Sequence, residues 1–136
     1  MITFTDILNE LKKYTAFFDE HTDIFQDTSR GVTRRWRYSH GENSCLAGAP
    51  VFILEPYDRN FHRDCTLFDY SDILTVDITK DNYKDYLNNI EIRTYKLGSL
   101  TISKMKQILE NNAKAAIVAE KLEGTIEKIA SIEEMF

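Results

Sequence analysis

Arginine is concentrated in one stretch of this chain, and arginine is the side chain best suited to bind anions. Residues 28–63 carry six arginines, three acidic residues and a local charge of +3, whereas the whole 136-residue chain has a formal net charge of −5. The planar guanidinium group binds phosphate and carboxylate oxygens through two parallel hydrogen bonds. The composition therefore predicts a local anion-binding surface and argues against a general affinity for polyanions.

A β-strand is predicted at the centre of this arginine block by the sequence VTRRWRY. Alternate side chains of a strand point to opposite faces, so Arg34, Trp36 and Tyr38 would share one face. Arg35 and Arg37 would share the other. Aromatic rings beside cations are typical of surfaces that stack nucleic-acid bases. We expect a nucleotide-like ligand, a nucleic acid or an acidic protein surface to bind the residues Arg30, Arg34, Arg35, Trp36, Arg37, Tyr38, Arg59 and Arg63.

A structural role is the alternative interpretation of the same arginines. Ion pairs with nearby acidic residues would cover one face of the sheet without any ligand, and such networks are common in folded proteins. The acidic candidates are Asp23, Asp27, Asp58 and Asp64. The sequence leaves both interpretations open.

A second candidate site consists of two residue pairs that can bind zinc. His40 and Cys45 have four residues between them, His62 and Cys65 have two, and sixteen residues separate the pairs. Imidazole and thiolate groups in two close pairs are typical of tetrahedral zinc sites. The alternative is a pair of buried thiols and two surface imidazoles, because the spacing matches no common zinc-binding pattern. No cofactor is therefore expected, and zinc is the one cofactor that the spacing permits.

Other catalytic signatures do not occur in the sequence. Neither of the two glycine-rich motifs that bind phosphate groups, GxxxxGK[ST] and GxGxxG, occurs in the sequence. The cysteines lie outside recognisable nucleophile motifs, and no pair of carboxylates is marked as a general acid and base. The sequence thus favours a non-enzymatic protein, with a small zinc-dependent enzyme as the least favoured alternative.

The elements that would position the arginine block indicate an α+β fold. Residues 6–20 have the apolar spacing of one helical face and precede a polar loop over 21–31. Strands are predicted by period-two patterns and short apolar runs over 32–38, 51–54, 66–68, 73–78 and 90–97. Short turns between the strands favour a mainly antiparallel sheet of four or five strands, with the N-terminal helix packed on it.

The C-terminal segment predicts a long amphipathic helix or a helix pair. Apolar residues recur every seven positions, which is the heptad pattern of helices that pack against a partner helix. Gly124 is where such a helix would break, since glycine is a weak helix former. We expect a core domain over 1–98, a helical segment over 99–136, and self-association through the seam Ile108, Ala115, Val118, Leu122, Ile129 and Ile132.

Composition also predicts the compartment and the function class. No apolar run approaches the roughly 18 residues of a transmembrane helix, so no membrane partner is expected. Two cysteines are too few for a disulfide framework, which indicates a cytoplasmic protein with reduced thiols. We expect a homo-oligomeric binding protein. The alternative is a structural, assembly or inhibitory subunit, for example of a virus or mobile element, whose C-terminal helix drives assembly.

Overall fold

A five-stranded antiparallel sheet, covered by helices on one face, is formed by the part of the chain that the structure describes. This computed structural model describes residues 2, 4–24, 32–39, 46–54 and 65–135. It confirms the predicted α+β class. The elements in chain order are α1 (Phe4–Leu11), β1 (Phe18–Ile24), β2 (Val32–Tyr38), β3 (Pro50–Leu54), β4 (Cys65–Asp69), β5 (Arg93–Lys96) and α2 (Ile102–Glu134).

Each strand of the sheet pairs with its neighbours in sequence, in the order β1-β2-β3-β4-β5. Alternate side chains of the strands are apolar, and these form the inner face of the sheet. Trp36 lies opposite Phe52, and Phe52 lies opposite Leu67, so one apolar row crosses three strands. All three side chains are buried. A register shift after Trp36 marks a β-bulge between β2 and β3, a feature that bends a strand and increases its twist.

The inner face is covered by α1 and by the first half of α2. Ile7 and Leu11 of α1 belong to the same hydrophobic core as the sheet. Every buried residue of α2 lies between Met105 and Ala119, and four of these are alanines, whose small side chains let the helix approach closely. The sheet and the first half of α2 therefore share one core. None of the described helices has the length and hydropathy needed to cross a membrane.

Asn112 is a polar residue at the centre of this helix–sheet contact, and it is fully buried. Its Nδ2 donates to the Phe68 carbonyl oxygen at 2.8 Å, and its Oδ1 accepts from the Tyr70 backbone N–H at 2.9 Å. The Asn112 carbonyl oxygen also accepts the Tyr38 hydroxyl at 3.3 Å. The side chain thus satisfies the backbone groups at the end of β4, which would otherwise be buried without partners.

An aromatic column lies beside Asn112. The rings of Phe18, Tyr38 and Tyr70 meet edge to face, with centroids 5.3 Å and 5.0 Å apart. The Tyr70 hydroxyl donates to the Pro50 carbonyl oxygen at 2.6 Å. Burial raises the pKa of Tyr38 and of Tyr70 above the ordinary tyrosine value, so both rings stay neutral. Edge-to-face packing of this kind adds to the free energy of area burial.

The second half of α2 continues past the core and is held by the segment 77–92. The Tyr86 hydroxyl donates to Glu123 at 2.8 Å, and the Tyr83 hydroxyl donates to Glu133. The hydrogen bond to Glu133 raises the pKa of Tyr83. The helix is one continuous element from Ile102 to Glu134, about 50 Å long at 1.5 Å per residue. Gly124 does not break it.

Two predicted elements at the N-terminal end of the chain had the wrong bounds. The helix predicted over 6–20 ends at Leu11 and is followed by a 3-10 turn and by β1. The polar loop predicted over 21–31 is strand up to Ile24. Phe18 pairs with Tyr38 across β1 and β2 and is buried beneath its ring. Tertiary pairing thus overrides the local helical spacing.

The strand predicted over 73–78 was also wrong. The chain turns at the end of β4 into a 3-10 helix, Ser71–Leu74, and then runs without regular structure. The buried Asp69 carboxylate causes this turn, because it accepts the Ser71 backbone N–H at 2.9 Å and the Ser71 hydroxyl. Such side-chain-to-backbone bonds compete with strand pairing. The last strand, predicted over 90–97, is confirmed in the shorter range of β5.

Replacing the buried amide tests its structural role. We expect Asn112→Ala to lower the free energy of unfolding by about 3 kcal/mol, since it leaves the Phe68 carbonyl and the Tyr70 N–H buried without partners. Urea unfolding measures this. The matched control is Asn111→Ala, because the Nδ2 of the half-buried Asn111 makes a long contact, 3.5 Å, to the hydroxyl of another side chain, Ser71, and no buried backbone group depends on it among the described residues. Equal losses in the two variants would contradict the assignment.

Candidate functional site

Two arginines of β2 lie on the outer face of the sheet, opposite the core. Arg35 and Arg37 are half-buried there. The alternate residues Trp36 and Tyr38 point to the inner face, where their exposed fractions are 5% and 3%. This confirms the predicted alternation for these four side chains. It also corrects one expectation, because the rings of Trp36 and Tyr38 are core residues and have no open face on which a base could stack.

A row of side chains crosses the outer face from β2 to β5. Arg35 lies opposite Ile53, Ile53 opposite Thr66, and Thr66 opposite Lys96. The Lys96 ammonium donates to the Thr66 hydroxyl at 3.2 Å. Neighbouring strands are about 4.8 Å apart, so the two cations at the ends of the row are separated by about 14 Å at the backbone. The row therefore offers positive charge at both ends and an apolar side chain between them.

The hydrogen-bonding state of Arg37 distinguishes it from a solvated surface arginine. Its Nε atom is buried and has no hydrogen-bond partner among the described residues. Asp19 lies opposite Arg37 in the strand register and is exposed. A buried donor without an acceptor costs about 1–3 kcal/mol, and a bound water, an ion or a ligand is the usual explanation of such a group. A ligand acceptor would remove this cost once the half-buried side chain turns its Nε toward the ligand.

The other residues of the predicted anion site lie outside what the structure describes. Arg30, Arg59 and Arg63 are outside the described residues, and of Arg34 only the backbone is described. The same holds for the acidic side chains that would form the alternative ion pairs: Asp23, Asp27, Asp58 and Asp64. That alternative accordingly stays a prediction. Sequence reasoning missed the row that ends at Lys96, because strand register decides which residues share it.

The predicted zinc ligands cannot be assembled from the described part of the chain. His40, Cys45 and His62 lie outside it, and Cys65 is buried on β4. Within the described ranges, no group of three or more His, Cys, Asp or Glu side chains is arranged to hold a metal ion. Zinc binding by the two predicted pairs stays a prediction.

The predicted helix seam is divided between the chain's own core and its surface. Ile108 and Ala115 are buried within the single chain. The remaining members are half-buried or exposed: Val118, Leu122, Ile129 and Ile132. Ile132 is 56% exposed, and Met135 after the last turn is 80% exposed. The two most exposed large apolar side chains among the described residues, Ile132 and Met135, therefore lie at the C-terminal end of α2.

Comparisons with protein-family models, with curated proteins and with solved structures gave no match. The functional interpretation of this chain consequently depends on its own geometry and charges.

The buried Nε of Arg37 predicts an unusual response to mutation. We expect Arg37→Met to raise the free energy of unfolding by about 1 kcal/mol, because it keeps the long apolar stem and removes a buried nitrogen that has no acceptor among the described residues. Denaturant unfolding measures the change. The matched control is Arg93→Met, since Arg93 is exposed and pairs with Glu91 at 3.5 Å; we expect a change within about 0.5 kcal/mol there. A clear loss of stability in Arg37→Met would show that the guanidinium already has an acceptor in the free chain.

Proposed function

We propose that this chain is a non-enzymatic binding protein that holds an anionic ligand, or an acidic surface of a partner protein, on the outer face of its sheet. The observation that carries the proposal is the buried Nε of Arg37, which has no acceptor among the described residues. Arg35 stands two residues away on the same face and doubles the positive charge. No group with the arrangement of a catalytic site is needed for this function.

The spacing of the two arginines limits what they can hold. Side chains two positions apart on a strand are about 7 Å apart at the backbone. That distance suits two anionic groups in succession, such as neighbouring phosphates or the carboxylates of an extended acidic segment. Lys96 at the far end of the row adds a third charge. With about three such contacts, binding to a single-stranded polyanion would weaken with salt with a logarithmic slope of about −2.

A charge-matched pair of variants tests the proposal. We expect Arg37→Gln to weaken binding of an anionic probe at least about tenfold, since it removes a charge-assisted contact made in a half-buried site. The probes are adenosine triphosphate, a short single-stranded oligonucleotide and a glutamate-rich peptide, with binding measured by thermal shift and fluorescence anisotropy. Lys80→Gln is the control, because it removes the same single positive charge. Lys80 is exposed and lies outside the sheet.

Two results would overturn this function. The first is that none of the three probes shifts the melting temperature or the anisotropy at low salt, where electrostatic binding is strongest. The second is that Arg37→Gln and Lys80→Gln weaken binding equally, which would show that only the overall charge matters.

A second candidate function is assembly through the second half of α2, as the sequence also suggested. The observation that favours it is the exposure of Ile132 and Met135 on a helix that extends beyond the core. Large apolar side chains in this setting are typical of protein–protein contacts. In this role the chain is one subunit of an oligomer, and Arg35 and Arg37 on the outer face of the sheet bind an acidic surface of a neighbouring subunit.

The oligomeric state tests this second function. We expect the wild-type chain to sediment above its monomer mass of 15.9 kDa in a concentration-dependent way. Ile132→Asp should shift the distribution toward monomer, because it places a charge in the apolar contact. Thr75→Asp, an exposed change away from α2, should leave the distribution unaltered. A monomer at every concentration would end the assembly proposal.

A further inference from the structure

Two rows of opposite charge run along the exposed side of α2. Lys121 and Lys128 form one row at a seven-residue interval, and Glu127 and Glu134 form the other. All four side chains are exposed. At 3.6 residues per turn, positions seven apart stay on nearly the same side of a helix. The rows therefore flank one strip of the helix surface, which contains Ile117, Gly124 and Ser131.

The rows are not placed to neutralise each other within the helix. Intrahelical ion pairs form between residues three or four positions apart, as Lys114 and Glu110 do at 3.5 Å. No acidic residue stands three or four positions from Lys121 or Lys128, and no basic residue stands three or four positions from Glu127. An ordinary solvated helix face has no need of rows that keep one sign over two heptads. Charges arranged in this way suit a second helix lying alongside.

The strip between the rows is open and partly apolar. Ile117 is 37% exposed. A Cβ atom added to Gly124 would meet no atom within 4 Å, and a shallow groove at this point is lined by Gly124, Glu127, Lys128, Ser131 and Ile132. A neighbouring helix could therefore approach closely along this strip. Tyr83 and Tyr86 hold the helix through Glu133 and Glu123, which lie outside this strip.

We infer that a second copy of this chain packs in parallel along the strip, so that the lysine row of each copy faces the glutamate row of the other. This inference rests on the assembly role proposed above and names its surface. In a parallel pair related by a two-fold axis, the left flank of one helix meets the right flank of its partner, and the flanks here carry opposite charge. An antiparallel pair would bring lysine against lysine and glutamate against glutamate, which is unfavourable.

A second copy fits both rows better than an unrelated helix would. One surface must present acids to the lysine row and bases to the glutamate row, in the correct order and with the same seven-residue interval. The same helix supplies this automatically, since a two-fold interface is self-complementary. The contact strip lies beside the predicted seam, which the chain's own core and the segment 77–92 partly cover.

Charge reversal tests the pairing. We expect Lys121→Glu with Lys128→Glu, and separately Glu127→Lys with Glu134→Lys, to raise the dissociation constant of the homodimer at least about tenfold. Mixing the two double variants should restore association, because each reversed row then meets its opposite. Analytical ultracentrifugation measures all three samples. Lys80→Glu with Lys104→Glu is the control for the lysine reversal, since it makes the same change in net charge at exposed positions away from the strip.

Cross-linking tests the direction of the helices. In a parallel pair, equivalent positions face each other, so oxidised Ser131→Cys should form a disulfide-linked dimer that the wild-type chain does not form. A disulfide requires Cα atoms within about 7 Å. Under the same conditions, an antiparallel pair would cross-link only when Ser131→Cys and Ile117→Cys are mixed, and that result would overturn the inference.

The remaining outcomes separate the inference from the assembly role. If the wild-type chain is a dimer but neither charge reversal weakens it, assembly stands and the parallel strip contact is overturned. If the wild-type chain is monomeric at every concentration, both are overturned. If the lysine reversal alone abolishes self-association and the mixed sample does not recover, the partner of the lysine row is not the glutamate row, and the inference fails.

Discussion

A single buried amide determines where the long helix sits on the sheet. Asn112 binds backbone groups at the end of β4, and its carbonyl accepts the hydroxyl of Tyr38 on β2. The alanines around it contribute packing that depends little on direction, whereas hydrogen bonds inside a low-dielectric core require one alignment. Turning α2 by one residue would break all three contacts. The position of the second half of the helix, and therefore of its charged rows, depends on this register.

Strand β2 combines two opposing requirements within seven residues. Its inner side chains complete the core, and its outer side chains leave a guanidinium nitrogen buried without an acceptor among the described residues. Proteins accept such local costs at functional positions when the surrounding core is stable enough to bear them. The bulge after Trp36 belongs to the same region and changes the course of the sheet next to Arg37.

Sequence patterns predicted the parts of this structure that depend on local periodicity. The faces of β2 followed from a period of two, and α2 followed from apolar residues that recur every seven positions. The start of β1 could not be predicted from periodicity. Phe18 continues the helical spacing of α1, and only its pairing with Tyr38 selects a strand. For the site, the arginines were visible in the sequence. Their alignment with Lys96 was not, because it depends on three successive strand registers.

The order of the elements along the chain has a consequence for synthesis. The sheet is a simple meander whose strands pair with sequence neighbours, so its hairpins can form as they leave the ribosome. The helix that covers them follows afterwards, and its last buried residue is Ala119. Until that residue emerges, the apolar inner face of the sheet has no cover from α2. A nascent chain of this protein would therefore expose apolar sheet surface until the first half of α2 has emerged, and transiently exposed apolar surface of this kind favours aggregation.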